Sequence, residues 1–226
     1  PLVSDLARAY EERHGSPGRA LPTLAPLAVQ YADFALWQRE RLGNRDDESS
    51  RLSTQLDYWR AILADVPPVT AIATDRPRGA IADKRGASVE FEIPADLRER
   101  LTELEAQAGV TTFMLLHAAL AILVASSSAP EDAGRHDVVI GAPIAGRGVA
   151  VLDDMVGMFV NTLVLRTAID GAATIAECVA ELRRVDVDAF ANADVQFDDL
   201  VDELAITMNG HRGAARADGG DPRRAP

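Results

Sequence analysis

The 226-residue chain is poor in cysteine and in aromatic side chains, and it lacks a surplus of positive charge. Its one cysteine, Cys178, excludes an internal disulfide and a thiolate zinc cluster. Cys178 lies within a helical pattern, where it reads as a small buried hydrophobe. Only 5% of residues are aromatic against 47% hydrophobic, so the core is expected to be aliphatic. Twenty-three basic residues face 35 acidic ones, a formal charge of −12. That balance argues against nucleic acid and anionic membrane surfaces, both of which attract basic patches. No apolar run approaches the roughly 20 residues of a membrane span, and no secretory signal opens the chain. A cytoplasmic setting is expected. Because Pro1 stands where a methionine would begin a translation product, the chain is expected to be internal or trimmed.

Reactive motifs are equally scarce. Four histidines, His14, His117, His136 and His211, have no ligand or nucleophile partner at motif spacing. His117 reads as a surface or core histidine of a helix. No Gly-x-Ser-x-Gly elbow occurs. Gly141–Gly148 approaches a phosphate-binding loop, but Arg147 stands in the lysine position and Gly148 replaces the hydroxyl. Nucleotide binding is rejected. The acidic cluster Asp194, Asp198, Asp199, Asp202 and Glu203 lacks calcium-loop spacing and reads as a solvated helix face, so no metal site is expected.

What is present is regular periodicity. Helices are expected over Val3–Arg13, around Tyr31–Leu42 with Tyr31, Phe34, Ala35, Trp37 and Leu42 inward, and around Leu52–Leu63. The proline-bearing stretch 64–87 reads as a surface crossing. Ser88–Ile93 alternates strictly, with Val89, Phe91 and Ile93 on one side, and predicts a half-buried strand. Asp96 with Glu99 suggests a capping box heading a helix that ends at Gly109. Thr111 is expected to cap the next helix, with Phe113, Leu116, Leu120 and Leu123 along it. Asp137–Gly141 is a short buried strand. Thr174 and Glu177 form a second capping box before a helix with Ile175, Cys178, Val179 and Leu182 inward. Strands alternating with helices from residue 88 indicate a mixed α/β layer, and the helical block before residue 64 another packing unit or the flank of one. Residues 205–226 have little to bury and are expected to be disordered.

Gly157–Arg166 is the most informative segment. It predicts a strand apolar on both faces, hence central in a covered sheet, with one amide, Asn161, in the middle. A buried amide without partners costs about 1–3 kcal/mol, so Asn161 either ties neighbouring backbone or projects into a solvated channel.

Three segments together resemble the condensation domains of nonribosomal peptide synthetases. Tyr31–Gln38 (YADFALWQ) looks like their fourth core motif. Ile140–Arg147 (IGAPIAGR) followed by Gly157–Thr162 (GMFVNT) resembles the fifth. Asn192–Asp198 (NADVQFD) occupies the place of the sixth, with Asn192 for histidine and Gln196 for proline. Tyr58-Trp59 and Thr74–Pro77 add support, and the likeness extends to about Leu204.

The resemblance implies part of a two-lobed α/β fold like chloramphenicol acetyltransferase, with residues 1–87 ending the first lobe and 88–204 opening the second. It implies amide formation between acyl or peptidyl donors and aminoacyl acceptors carried on phosphopantetheine. The partners would be carrier domains and neighbouring synthetase domains, with no cofactor bound directly. The family's His-His-x-x-x-Asp-Gly motif is absent, so no residue here is assigned as catalytic. Asn161, Thr162 and Phe159 are the candidate tunnel residues. Arg147, through Asp153 or Asp154, and Gly157, Asp33 and Trp37 are expected to serve structure. The alternative is a catalytically dead remnant or carrier-docking module. Cutting such a sheet between strands would leave open edges and an uncovered apolar face.

Overall fold

A computed structural model describes residues 1–15, 26–66, 72, 86–127 and 134–204. The expected tail 205–226, most of the 15–26 connector and the Thr74–Pro77 crossing lie outside the described residues. The helices are α1 (Leu2–Gly15), α2 (Tyr31–Leu42), α3 (Arg51–Ile62), α4 (Ala95–Ala108), α5 (Thr112–Ser127), α6 (Ile175–Ala191) and α7 (Phe197–Leu204). Between α5 and α6 run strands β1 (Arg135–Ala145) and β2 (Val160–Asp170).

The two strands pair antiparallel from Arg135↔Asp170 to Ala145↔Val160. They are longer than expected at their paired ends, and β2 begins at Val160, so Gly157–Phe159 belong to the loop. β2 is not covered on both faces. Asn161, Leu163, Leu165, Thr167 and Ile169 are buried, whereas Thr162, Val164, Arg166 and Ala168 are half-buried. The two-faced apolar pattern misled because β1 is the one strand paired with β2 among the described residues. For the same reason Ser88–Ile93 is not a strand. Val89 is 87% and Phe91 83% exposed, the segment having alternation but no partner strand among the described residues.

One core lies between α5, α6 and the sheet. Leu115, Ala118, Ala121 and Val124 meet Val138, Ile169, Cys178, Val179 and Leu182. α5 therefore buries its small-residue face, and Phe113, Leu116, Leu120 and Leu123 are 40–61% exposed. A helix apolar all round offers two faces, and periodicity alone does not say which one is covered. Ile175, expected inward, is also exposed, at the first turn of α6. Inside this core His117 Nδ1 lies 2.8 Å from Asp186 Oδ1, joining α5 to α6. Its other ring nitrogen and Asp186 Oδ2 have no hydrogen-bond partner.

A second core brings α3 onto the same sheet. Leu56, Trp59 and Leu63 pack with Leu163, Leu165, Ala189, Val195 and Leu200. Arg166 reinforces it: one nitrogen donates to the carbonyls of Ile62 (2.7 Å) and Ala64 (2.6 Å), and the others hold Asp137 at 2.6–3.1 Å. Helix ends leave carbonyls without intrahelical partners, and this guanidinium takes one of them, Ile62 O, together with Ala64 O just beyond the end of α3. α1 and α2 are less embedded. α1 buries no residue, and Phe34 is the one fully buried residue of α2.

The local signals at helix ends fare unevenly. Thr174 and Glu177 form a reciprocal capping box, Thr111 Oγ1 accepts from Met114 N, and Gly109 closes α4 in the left-handed region at φ 63°. Asp96 does not cap α4; the chain enters through Pro94, and Asp96 sits in the first turn. A proline fixed near the helical φ pre-sets that entry without a side-chain acceptor.

Leu182→Ala is expected to destabilise the protein by about 2–5 kcal/mol in a denaturant titration, because a side chain with no exposed surface would leave a cavity. Burial and the nearby Asp188 carboxylate push the Tyr58 hydroxyl up to about 12. The folded state thus holds this proton where the unfolded chain, at the ordinary value of about 10, has begun to lose it. Stability should therefore fall between about pH 10 and 12. Tyr58→Phe should remove that slope in alkaline unfolding curves.

Candidate functional site

The segments singled out in the sequence come together around one hollow of about 740 Å³. Tyr31, Phe34 and Trp37 of α2 line it beside Ile144 and Gly146 of the first glycine-rich segment. Phe159 and Asn161 at the head of β2, and Ala193 and Gln196 from the turn before α7, supply further wall. Residues more than 160 positions apart thus face a common space.

Asn161 is built into this wall by its own hydrogen bonds. Its Nδ2 donates to the carbonyls of Ala193 (3.1 Å) and Val195 (2.8 Å). Its Oδ1 accepts from Thr162 N and Phe197 N, both at 2.9 Å. Two donors and two acceptor positions are the whole capacity of an amide, and all four are used. The amide therefore ties β2 to the 192–197 turn. Gln55 closes the other side: Nε2 donates to Ala191 O and Asp194 Oδ2, and Oε1 accepts from the backbone of Asp194 and Val195. Trp59 donates to Asn192 O at 2.9 Å, and Arg51 holds Asp194 at 2.5 Å.

The aromatic wall is a connected set of rings. Phe34 lies 4.9 Å from Phe159 and 6.0 Å from Trp37, and Tyr31 meets Phe159 edge-on at 5.4 Å. The Tyr31 hydroxyl donates to Met158 O at 2.8 Å. The two glycines allow the loop to approach. A Cβ on Gly146 would lie 2.4 Å from Phe159 O, and one on Gly157 would lie 2.3 Å from the Tyr31 ring. Gly146 N also donates to Phe159 O at 2.7 Å.

Arg147 holds the loop differently from expectation. Its guanidinium stacks over Phe159 at 4.1 Å and donates to the carbonyl of Leu152, in place of a carboxylate partner at Asp153 or Asp154. A planar cation on a ring face gains from the ring quadrupole while its edge remains free to donate. Asp33 accepts from Gln30 N at 2.8 Å at the start of α2. Trp37 is 44% exposed at the rim, with Arg41 5.2 Å from its ring centre. Thr162 faces away from the hollow, since strand alternation puts it opposite Asn161 and beside Pro143.

Sequence reasoning passed over Gln55, Phe190 and the His117–Asp186 pair. Gln55 and Asp186 are polar residues on otherwise ordinary helix patterns, and nothing local marks their long-range partners. Tyr31, expected inward on α2, is 39% exposed and meets Phe159 at the hollow, and Gly146 carried no expected role. Among the described residues no group of three His, Cys, Asp or Glu could hold a metal ion, and no single helix is long and apolar enough to cross a membrane.

Residues 2–213 match the condensation-domain family model. The chain is 44% identical over 207 residues to the isonitrile lipopeptide synthase of Mycobacterium tuberculosis, covering 92% of this chain and 8% of that protein. It is 42% identical over 205 residues to the dimodular nonribosomal peptide synthase of Bacillus subtilis, covering 90% and 8%. Among solved structures it resembles the X-domain in the complex of the X-domain and OxyB from teicoplanin biosynthesis. That likeness has a TM-score of 0.77 and 33% identity, over 90% of this chain and 43% of the other. The first condensation domain of the CDA synthetase shares the fold at a TM-score of 0.59, over 88% and 40%. The chain therefore belongs to the condensation-domain family, a mixed α/β class, and presents part of that fold. It spans less than half of these solved relatives and about one-twelfth of the two synthases.

Asn161→Ala should destabilise the protein by about 3 kcal/mol, since the carbonyls and N–H groups it serves lose their partners. Hydrogen exchange across 192–197 should accelerate with it. Gly146→Ala should be more damaging than Gly157→Ala in thermal unfolding, because Gly146 abuts an immovable carbonyl and Gly157 a half-exposed ring.

Proposed function

We propose that this chain supplies one wall of the substrate channel of a nonribosomal peptide synthetase condensation domain. The observation that carries the reading is the meeting of all three motif segments in one hollow. An aromatic and aliphatic lining with a few polar groups at its rim suits an acyl or aminoacyl chain delivered on phosphopantetheine. Phe159 and Asn161 line that space, whereas Thr162 lies outside the lining. Because the Asn161 side chain is saturated, its part is to hold the channel wall in place. Ligand polar groups would find Gln38, Gln196 or backbone at the rim.

In this reading the donor and acceptor are thioesters on carrier domains, neighbouring synthetase domains are the other partners, and no cofactor is bound directly. Residues 1–87 end the first lobe and 88–204 open the second, with α3 packed across from the first onto the sheet of the second. The chain contributes binding surface and not the reacting base. It has no adjacent histidine pair, and the buried His117 is engaged by Asp186. That absence also favours the second reading, a carrier-docking module without chemistry of its own.

In a condensation assay with both carriers loaded, the chain alone should give no amide product. Acyl-pantetheine titrated into the protein should quench Trp37, which lies exposed at the hollow, while the buried Trp59 stays silent. Trp37→Phe should abolish the signal. Binding that leaves Trp37 unaffected would move the ligand elsewhere.

A further inference from the structure

Arg41, in the last turn of α2, is the one cation lining the hollow among the described residues. Its guanidinium carbon lies 5.2 Å from the centre of the Trp37 ring. Among the described residues it makes no hydrogen bond and no ion pair. The arginines that hold the structure differ. Arg51 binds Asp194, Arg147 donates to Leu152 O, and Arg184 binds Glu181 and Asp188. Arg166 binds Asp137 and two carbonyls. The end of a helix favours any cation, which suits Arg39 and Arg41 alike. Of the two, Arg41 lines the hollow and sits over the indole. Contact with the ring face steadies the guanidinium and leaves its edge N–H groups free to donate.

The lining has two characters. Phe34, Leu152 and Phe159 are buried and apolar, whereas Trp37 and Arg41 are exposed. Asp194, the one carboxylate of the lining, is already held by Arg51 and Gln55. An anion at the exposed edge therefore meets a cation with no competing partner. The chain as a whole carries −12, so an anionic ligand is repelled by most of the surface and gains at such a point. A ligand matched to this lining is elongated, apolar at the end that enters and anionic at the end that stays outside.

We propose that Arg41 recognises phosphate at the mouth of the channel, receiving the phosphate of a pantetheine arm whose acyl end lies against Phe34 and Phe159. This rests on the channel reading above and fixes the direction of the arm within it. A guanidinium and a phosphate can pair through two parallel N–H···O bonds, a geometry that a lone ammonium does not offer. Gln38 lies one turn earlier on the same face of α2 and also lines the hollow, where it adds a neutral donor.

The test is calorimetric titration of the chain with two ligands that differ by one phosphate, S-octanoyl-pantetheine and S-octanoyl-phosphopantetheine. The phosphate should tighten binding by roughly tenfold at low ionic strength, and added salt should erode the gain. Arg41→Gln should remove the gain and leave affinity for S-octanoyl-pantetheine unchanged. Arg41→Lys should keep part of it, because the charge remains without the planar fork. Arg39→Gln, in the same helical turn but outside the lining, should keep all of it. Arg41 is exposed, so these variants should retain the helical content of the parent chain. The phosphorus resonance of the bound ligand should shift with the parent chain and not with Arg41→Gln. S-succinyl-pantetheine carries its anion on the acyl end instead. An Arg41-dependent gain for that ligand, in place of one for the phosphate, would reverse the arm and overturn the inference. A phosphate that adds no affinity, or a gain that survives Arg41→Gln or vanishes in Arg39→Gln, overturns it too. If neither octanoyl ligand binds, the channel reading falls and the phosphate assignment with it. If both bind equally, the phosphate assignment alone falls.

Discussion

The 192–197 turn depends on partners that no helix or strand ladder supplies. Asn161 takes the carbonyls of Ala193 and Val195 and the N–H of Phe197. Gln55 takes the N–H groups of Asp194 and Val195, and Trp59 the carbonyl of Asn192. Backbone polar groups left alone in a buried turn would each cost on the order of 1–3 kcal/mol. Two side-chain amides and an indole thus make an irregular segment compatible with burial. They also fix α3, β2 and the start of α7 with respect to one another. The hollow, the second core and the placement of Gln196 all follow from that arrangement.

Around it the protein uses close approach in place of bulk. With few aromatic residues, it gathers Tyr31, Phe34, Trp37 and Phe159 at one place. Gly146 and Gly157 let backbone and ring come within distances that a Cβ would forbid. Arg147 then uses both of its chemistries, ring stacking and hydrogen-bond donation, to hold Phe159 against the short turn ending at Leu152. Within the glycine-rich stretch that superficially resembles a phosphate loop, Gly146 and Arg147 are accounted for by this packing.

His117 and Asp186 follow a different logic. Both are sequestered within the α5–α6 core, and each leaves one polar atom without a partner. Such a pair is weak as a source of stability when compared with apolar packing of equal volume. It is selective, because removing one member strands the other in a dry core. The pair ties the two helices whose aromatic residues, Phe113 and Phe190, connect the exposed face of α5 to the hollow.

Helix positions, the Thr174–Glu177 box, the Gly109 end and the family motifs were determined by the sequence alone, because each is written in residues a few positions apart. The sequence also announced that Asn161 needed partners, but three of its four lie more than 30 residues away and have no local signature. Tertiary structure decided that β2 is covered on one face, that Ser88–Ile93 forms no strand pair among the described residues and that α5 buries the face of Leu115, Ala118, Ala121 and Val124 while showing Phe113, Leu116, Leu120 and Leu123. Periodicity records which faces are apolar. Which of them is covered depends on the surfaces that reach it, and that is a property of the assembled fold.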